Sequence, residues 1–296
     1  MYKVNFLNET ENKRIIEQRG KFNVIEYLKN LSDDPSEAMF SFFASQMNVR
    51  KRQLAIRLED DDITVQGGSM EWMAGDLKVT TNIKGGFDLG KKIIGGKLTN
   101  EAVIKPRYTG TGMLVLEPTY KHILLEDLAD WNGRMIIENG LFLACDGEVN
   151  IKTVMRSTLS SMVLGNEGMF NCMLDGEGIV ALESMVPREE LVMVDLDNDV
   201  LRVDGNYAIA WSQSLKFTVE KTTKTLIGSD ISGEGLVNVY RGTGRVLLSP
   251  VAPGVKKTVY DEKQIRQLEK QREKIRGSRE ENLPPAEETE SEYEED

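Results

Sequence analysis

Apolar and polar residues alternate with a period of two through much of the chain, as in Leu215-Lys-Phe-Thr-Val-Glu. Such short alternating runs, bounded by glycine-containing turns, predict half-buried β-strands rather than helices. The pattern itself recurs. Gly110-Thr-Gly112, Gly176-Glu-Gly178 and Gly242-Thr-Gly244 are spaced 66 and again 66 residues apart, each followed by an apolar run. Upstream of them, Gly68-Ser-Met-Glu-Trp-Met-Ala-Gly, Gly140-Leu-Phe-Leu-Ala-Cys-Asp-Gly and Gly205-Asn-Tyr-Ala-Ile-Ala-Trp-Ser occupy matching places. A strand is predicted before each, at 63–66, 135–138 and 200–204. Each Gly-x-Gly element lies between two apolar runs and predicts a hairpin, glycine supplying the positive φ of a tight turn.

This periodicity predicts an all-β body of three repeats, about 54–118, 119–184 and 185–250. One such unit would leave strand edges and an apolar face exposed. Three units around a pseudo-threefold axis can close the sheets on a shared core. The chain then divides into 1–53, the triplicated domain 54–252, and a charged segment 253–296.

The first segment opens with a strand-like run, Phe22-Asn-Val-Ile-Glu-Tyr. Asp34-Pro35-Ser36-Glu37 reads as a helix start, with Asp34 as N-cap and Pro35 in the first turn. The helix is expected to run to Met47, with Met39, Phe42, Phe43 and Met47 on one face docked against the β body. The sharper alternative is an amphipathic contact for a membrane or partner, because Arg50-Lys51-Arg52 follows directly.

Charge refines the picture of the other end. The chain of 296 residues carries a net −11, and residues 280–296 hold nine acids and no base. Residues 261–279 contribute +3, leaving −5 for everything before them. The acidic, proline-containing tail cannot bury enough apolar surface to offset its ordering entropy and is expected to be disordered. The stretch 261–276 reads as a solvated helix whose apolar stripe, Ile265, Leu268 and Ile275, is too thin for a coiled coil. With 40% hydrophobic residues, the rest is able to build a core.

One His and two Cys exclude an ordinary Cys/His zinc site and a disulfide scaffold. Cys145 and Cys172 fall in apolar strands and read as buried thiols. No apolar run approaches the ~18–20 residues of a membrane span, and the first residues carry no leader-like apolar stretch. A cytoplasmic protein is expected, with peripheral membrane association as the variant the helix allows. No cofactor or metal is expected.

The residues then carry a family likeness over 54–250. Gly68-Ser-Met-Glu-Trp-Met-Ala-Gly, Gly140-Leu-Phe-Leu-Ala, Ala210-Trp-Ser and Gly233-Glu-Gly-Leu-Val-Asn-Val-Tyr-Arg-Gly-Thr-Gly together resemble the altered inheritance of mitochondria protein 24 family. The resemblance implies a fold like the trp RNA-binding attenuation protein, repeated within one chain. It also implies a relation to fungal mitochondrial members linked to inner-membrane organisation; bacterial members are generally uncharacterised. The family brings no established catalytic residues, so none is carried over.

Candidate chemistry is sparse. Residues 85–91 match the Gly-x-x-x-x-Gly-Lys part of a phosphate loop, but Lys92 stands where Ser or Thr should hold magnesium, and Gly95 and Gly96 preclude the following helix. The loops 84–97, 156–165 and 221–233 carry Lys84, Lys91, Lys92, Lys97, Arg156, Lys221 and Lys224. Threefold placement gathers them into a basic rim that is expected to contact an anionic surface or partner. His122 is the sole histidine, and a nucleophilic dyad with Cys145 has no sequence support; a strand histidine is expected. Asp60, Asp61 and Asp62 read as a solvated turn rather than a cation site. Glu101, Glu167 and Glu234 recur at one repeat position and are read as satisfying turn amides. RNA binding is disfavoured by the charge, and Trp72 and Trp211, at equivalent-looking positions, read as core. The expected function is a non-enzymatic β scaffold binding a protein or membrane-associated assembly, with homo-oligomers compatible. The alternative is a small-ligand binder or enzyme with a pocket between repeats.

Overall fold

In the computed structural model the described residues are 2–81, 93–94, 97–98, 105–155, 170–221 and 236–251. They are mostly β, with one α-helix among them, and all fall within one unit, Met1–Pro253. Strands β1 (Lys13–Arg19) and β2 (Phe22–Tyr27) form a hairpin, and helix α1 (Ala38–Gln46) follows. Then come β3 (Arg52–Val65), β4 (Met70–Thr80), the paired two-residue strands β5 (Ile93–Ile94) and β6 (Lys97–Leu98), and β7 (Arg107–Leu116). The middle of the chain supplies β8 (His122–Asp127), β9 (Arg134–Ile137), β10 (Phe142–Asp146), β11 (Asn150–Met155), β12 (Phe170–Asp175) and β13 (Ile179–Ser184). The last four are β14 (Val192–Asp204), β15 (Ala208–Ser212), β16 (Lys216–Lys221) and β17 (Leu236–Leu248).

Two curled antiparallel sheets result. The first runs β1-β2-β3-β10-β13-β8, with β7 also on β3 and β4 on β7. The second runs β11-β12-β9-β15-β17-β14, with β16 also on β17. Strand β3 bridges elements along its length. Its first half pairs β2 (Phe22 opposite Ile56), its last residues pair β10 (Ala144 opposite Val65), and β7 lines its other edge. Strands β2, β8, β10 and β15 and parts of β3 and β7 are buried on both faces, and their apolar side chains pack into continuous clusters. The largest gathers Met135, Ile137, Phe142, Leu174, Leu182 and Ile209 from strands of both sheets, with Trp131 from the short 3-10 turn after β8.

The Gly-x-Gly elements are not hairpins. Strands β7 and β17 run straight through theirs, and only Gly176-Glu-Gly178 separates two strands. The glycines serve close approach instead. A Cβ on Gly110 (φ 130°) would lie 2.1 Å from the Asp76 carbonyl oxygen on the neighbouring strand. Opposite each such bend in β7 and β17, the partner strand carries a left-handed residue, Asp60 (φ 53°) or Asn198 (φ 49°). Its N–H donates to the hydroxyl of Thr111 or Thr243, at 2.9 and 3.0 Å. Both short polar side chains tolerate this conformation. So Asp60 lies in a bulge within β3, Asp61 and Asp62 resume the ladder opposite Gly110 and Thr109, and the triplet is not a turn between elements.

Trp72 and Trp211 are not equivalent. Trp72 faces Val115, three residues past Gly112, while Trp211 faces Val246, two past Gly244. A one-residue offset turns the two rings to opposite faces of their sheets. Trp211 is core, stacked on Phe217, whereas Trp72 is half-buried against Phe6.

Candidate functional site

Helix α1 is inserted in the reverse of the usual sense. Ser41, Ala44, Ser45 and Asn48, spaced i, i+3, i+4, i+7, turn toward the body, with Ser45 buried. Met39, Phe40, Phe42, Phe43 and Met47 face outward, and Phe40 and Met47 keep 78% and 77% of their surface exposed. Leu31 and Val49 extend the patch at either end. The expectation that Met39, Phe42, Phe43 and Met47 dock on the β body is therefore overturned. The small polar stripe was readable at helical spacing and competed with the apolar one. What it lacked was any sign of which stripe the body would accept.

The helix ends are fixed by specific bonds. At the start, Asp34 Oδ1 accepts from the N–H of Ser36 and of Glu37, at 2.7 and 3.2 Å, so Asp34 caps the turn that leads in. Helix α1 ends at Gln46 and the chain then turns through Asn48, left-handed at φ 62°, with the Val49 N–H returning to the Ala44 carbonyl at 3.0 Å. Beyond it, Arg50 Nε donates to the Ser45 carbonyl at 3.0 Å, and Arg52 Nη2 donates to Asn48 Oδ1 at 2.7 Å. Cations at the carbonyl end also suit the helix dipole.

These arginines converge on Glu26 of β2. Arg52 donates to Glu26 Oε2 at 2.7 Å, while Arg14 and Arg50 reach Oε1 at 2.7 and 3.1 Å. Burial opposes the charged Glu26 carboxylate, but the Arg14 hydrogen bond, the Arg52 charge and the Arg50 hydrogen bond outweigh it and hold its pKa below the ordinary range. Arg50-Lys51-Arg52 is thus not a lipid-facing triplet. Two of its members clamp the helix, and Lys51 Nζ lies 5.9 Å from the Tyr27 ring centroid. The charges left around the apolar face at the start of α1 are acidic: Asp33, Asp34 and Glu37.

His122 opens β8 opposite Ser184. Burial, then the nearby Arg52 charge, lower its pKa to about 4, against weaker opposing pulls from Glu189 and Glu26, so the ring is neutral at pH 7. Cys145 lies on β10, opposite Val180 of β13. Strands β8 and β10 flank β13 on opposite sides, and the two residues are offset by four positions along it. That separation is on the order of 16 Å, so no dyad is assembled. Burial also pushes the Cys145 thiol well up.

A cleft of about 690 Å³ opens where β3 meets β10, lined by Asp60, Asp61, Asp62, Asp146, Glu148 and Glu177 against Lys21 and Arg107. Lys21 Nζ donates to Asp61 at 2.6 Å and to the Asp62 carbonyl at 2.8 Å, and lies 2.9 Å from Asp146. Arg107 pairs with Asp62. Lys21 and Arg107 thus pair with Asp61, Asp146 and Asp62, three of the six acids, and the cleft keeps a net negative charge. His122 lines neither this cleft nor the two smaller ones, near 310 and 320 Å³. Among the described residues, no group of three His, Cys, Asp or Glu side chains is placed to hold a metal.

Of the expected basic rim, Lys84, Lys91, Lys92, Arg156 and Lys224 lie outside the described residues, as do the phosphate-loop-like segment, Glu101, Glu167, Glu234 and everything after 251. Lys97 faces Ile94 in β6 and Lys221 faces Leu236 at the end of β16, both placed by backbone alone. No helix among the described residues is long and apolar enough to cross a membrane.

Comparison with known proteins gives three findings. The family model described as Mitochondrial biogenesis AIM24 matches residues 45–251. An uncharacterised protein of Streptococcus pyogenes serotype M6 is 26% identical over 195 residues, covering 63% of this chain and 75% of its own. A crystal structure of a Streptococcus pyogenes protein superposes with a TM-score of 0.50 at 22% identity, covering 70% of this chain and 90% of that one. At that identity the structural match speaks for the fold alone.

Proposed function

The chain belongs to the mitochondrial biogenesis AIM24 family, and from that footing we propose that it is a non-enzymatic β scaffold whose helix α1 docks a protein partner. The observation that carries this reading is the outward apolar face of α1. Phe40, Phe43 and Met47 stand at i, i+3 and i+7, the spacing at which a helix offers anchors to an apolar groove. A contiguous exposed patch of this kind marks an interaction site. The acids at its edge, Asp33, Asp34 and Glu37, favour a groove with a basic rim over an anionic lipid surface.

The same reading takes residues 54–250 as three copies of one unit of about 66 residues, similar to the trp RNA-binding attenuation protein fold. Three recurrences support it. The residue after the second glycine pairs the first strand of its unit each time: Met113 with Arg57, Ile179 with Asp127, Arg245 with Asp195. A bulge falls at Met70/Trp72, Phe142/Ala144 and Ala208/Ala210. Successive units are joined by like ladders, β3 to β10 and β9 to β15.

Affinity capture at native abundance tests the docking, comparing the wild-type chain with Phe40→Asp/Phe43→Asp. The expected result is one identified protein partner lost in the variant, with reconstituted binding weakened at least tenfold. Unchanged capture would overturn the proposal. So would flotation of the wild-type chain with anionic vesicles that is lost in the variant, because it would make a membrane the occupant.

A further inference from the structure

Three connections between strands meet on the cleft of about 320 Å³. The β3–β4 turn brings Gln66 and Ser69, the link from β7 to β8 brings Glu117 and Thr119, and the β9–β10 turn brings Asn139. Glu183 of β13 completes the polar wall. Phe142 and Leu143 of β10, only 6% and 5% exposed, supply an apolar floor. Backbone hydrogen bonds fix these walls to one another. The Gln66 N–H donates to the Leu143 carbonyl at 2.8 Å, that of Glu117 to the Ser69 carbonyl at 2.7 Å, and that of Glu183 to the Leu141 carbonyl at 2.7 Å. The side chains are less committed. The Gln66 and Asn139 amides and the Glu117 carboxylate have no hydrogen-bond or ion-pair partner among the described residues. Glu183 uses Oε2 to accept from Lys121 Nζ at 2.6 Å, which leaves Oε1 for another donor. Unspent polar groups held on a fixed wall above an apolar floor are the composition of a small-molecule site, and the volume falls at the small end of the range of ~300–1,000 Å³.

The lining selects the chemistry of the occupant. An anion would be repelled by Glu117 and Glu183. A cation could pair with them, but an ammonium accepts no hydrogen bond from the amides. Two ammonium groups already stand at the cleft's edge as well, Lys121 on Glu183 and Lys105 at 5.4 Å from the Phe142 ring centroid. A hydroxyl does both things the wall asks for, donating to a carboxylate and accepting from an amide. We propose that this cleft binds a neutral polyhydroxylated molecule the size of one sugar ring. Glu117 and Glu183 accept from its hydroxyls, Gln66 and Asn139 donate to them, and its C–H face lies on Phe142 and Leu143. The site lies apart from α1 and does not depend on the docking proposed for that helix.

Saturation-transfer NMR and calorimetry on the full chain test this, with glucose, ribose and myo-inositol as probes and with acetate and ethylammonium as charged controls. The expected result is binding of at least one of the three polyols and of neither control, with an affinity that salt leaves unchanged because the ligand carries no charge. Gln66→Ala and Asn139→Ala should each weaken that binding at least tenfold. Neither should move the thermal midpoint, since neither side chain has a partner to lose. Phe40→Asp/Phe43→Asp should bind the polyol as the wild-type chain does, so failure of the docking at α1 would leave this result standing. Methyl glycosides of glucose and ribose separate two sources of the same chemistry: equal binding supports the end of a glycan chain, and loss of binding supports a free sugar. Binding of ethylammonium in place of the polyols would overturn the proposal. So would silence from all three polyols at millimolar concentration, or polyol binding that both alanine variants retain in full.

Discussion

Arg52 and Glu26 meet at 2.7 Å with both side chains almost wholly buried, one from the strand that follows α1 and the other from the strand before it. The pair joins the N-terminal hairpin to β3 and, through Asn48, to the end of the outward-facing helix. Removing Glu26 leaves Arg52 a buried charge without its carboxylate, at a cost of about 3–5 kcal/mol, whereas removing Arg52 leaves Glu26 still paired with Arg14 and Arg50. Glu26→Met is expected to lower urea-unfolding stability by that amount, and Arg52→Met by less. The double variant Glu26→Met/Arg52→Met should cost clearly less than the sum of the two single changes.

His122 makes stability pH-dependent in a window set by its lowered pKa of about 4. The folded state prefers the neutral ring. Its contribution is therefore full above the ordinary value near 6.5 and is lost as pH falls from there toward 4. At pH 5.5 the loss is about 1.4 kcal/mol. Glu26, held low by its arginines, adds a separate loss only below its ordinary range. Chemical denaturation at pH 7 and 5.5 should show a drop that His122→Asn flattens. An equal drop in the variant would refute the assignment to His122.

Gly110 and Gly68 both have positive φ, but only Gly110 faces backbone within contact distance. Gly68→Ala should cost about 1–2 kcal/mol for the left-handed conformation alone. Gly110→Ala must in addition push β4 away from β7, so its cost should be greater. Thermal unfolding of the two variants ranks them directly, and equal midpoints would contradict the close approach.

The apolar residues of α1 contribute little to folding if they face outward. Phe40→Ser and Met47→Ser are expected to change stability by no more than about 0.5 kcal/mol, as exposed substitutions do. A core phenylalanine truncated in the same assay, Phe22→Ala, should cost about 3–5 kcal/mol. A large loss for Phe40→Ser would mean that α1 packs inward.

Cys145 and Cys172 are both buried, and burial raises the Cys145 thiol. Their modification by a thiol reagent at pH 8 should proceed only as fast as the fold opens. Dilute urea, below the unfolding transition, should accelerate it in step with stability.

Much of the fold was legible because strand periodicity is local. The alternation in 215–220 and the runs around 63–66, 135–138 and 200–204 became β16, β3, β9 and β14. The Gly-x-Gly elements were found but misread, because a glycine needed for backbone approach across strands looks in sequence like one needed for a turn. The equivalence of Trp72 and Trp211 failed for a related reason: a one-residue bulge flips a face, and nothing local records it.

By itself, then, the sequence determined that this is a β protein with an N-terminal strand and helix, since each follows from residues near one another in the chain. Only the tertiary structure decided which stripe of α1 turns inward, what Arg50 and Arg52 bind, and that β7 and β17 run through their Gly-x-Gly elements. Those outcomes depend on side chains brought together from distant strands, where a buried Glu26 draws the basic residues inward and leaves the apolar face of α1 to the solvent.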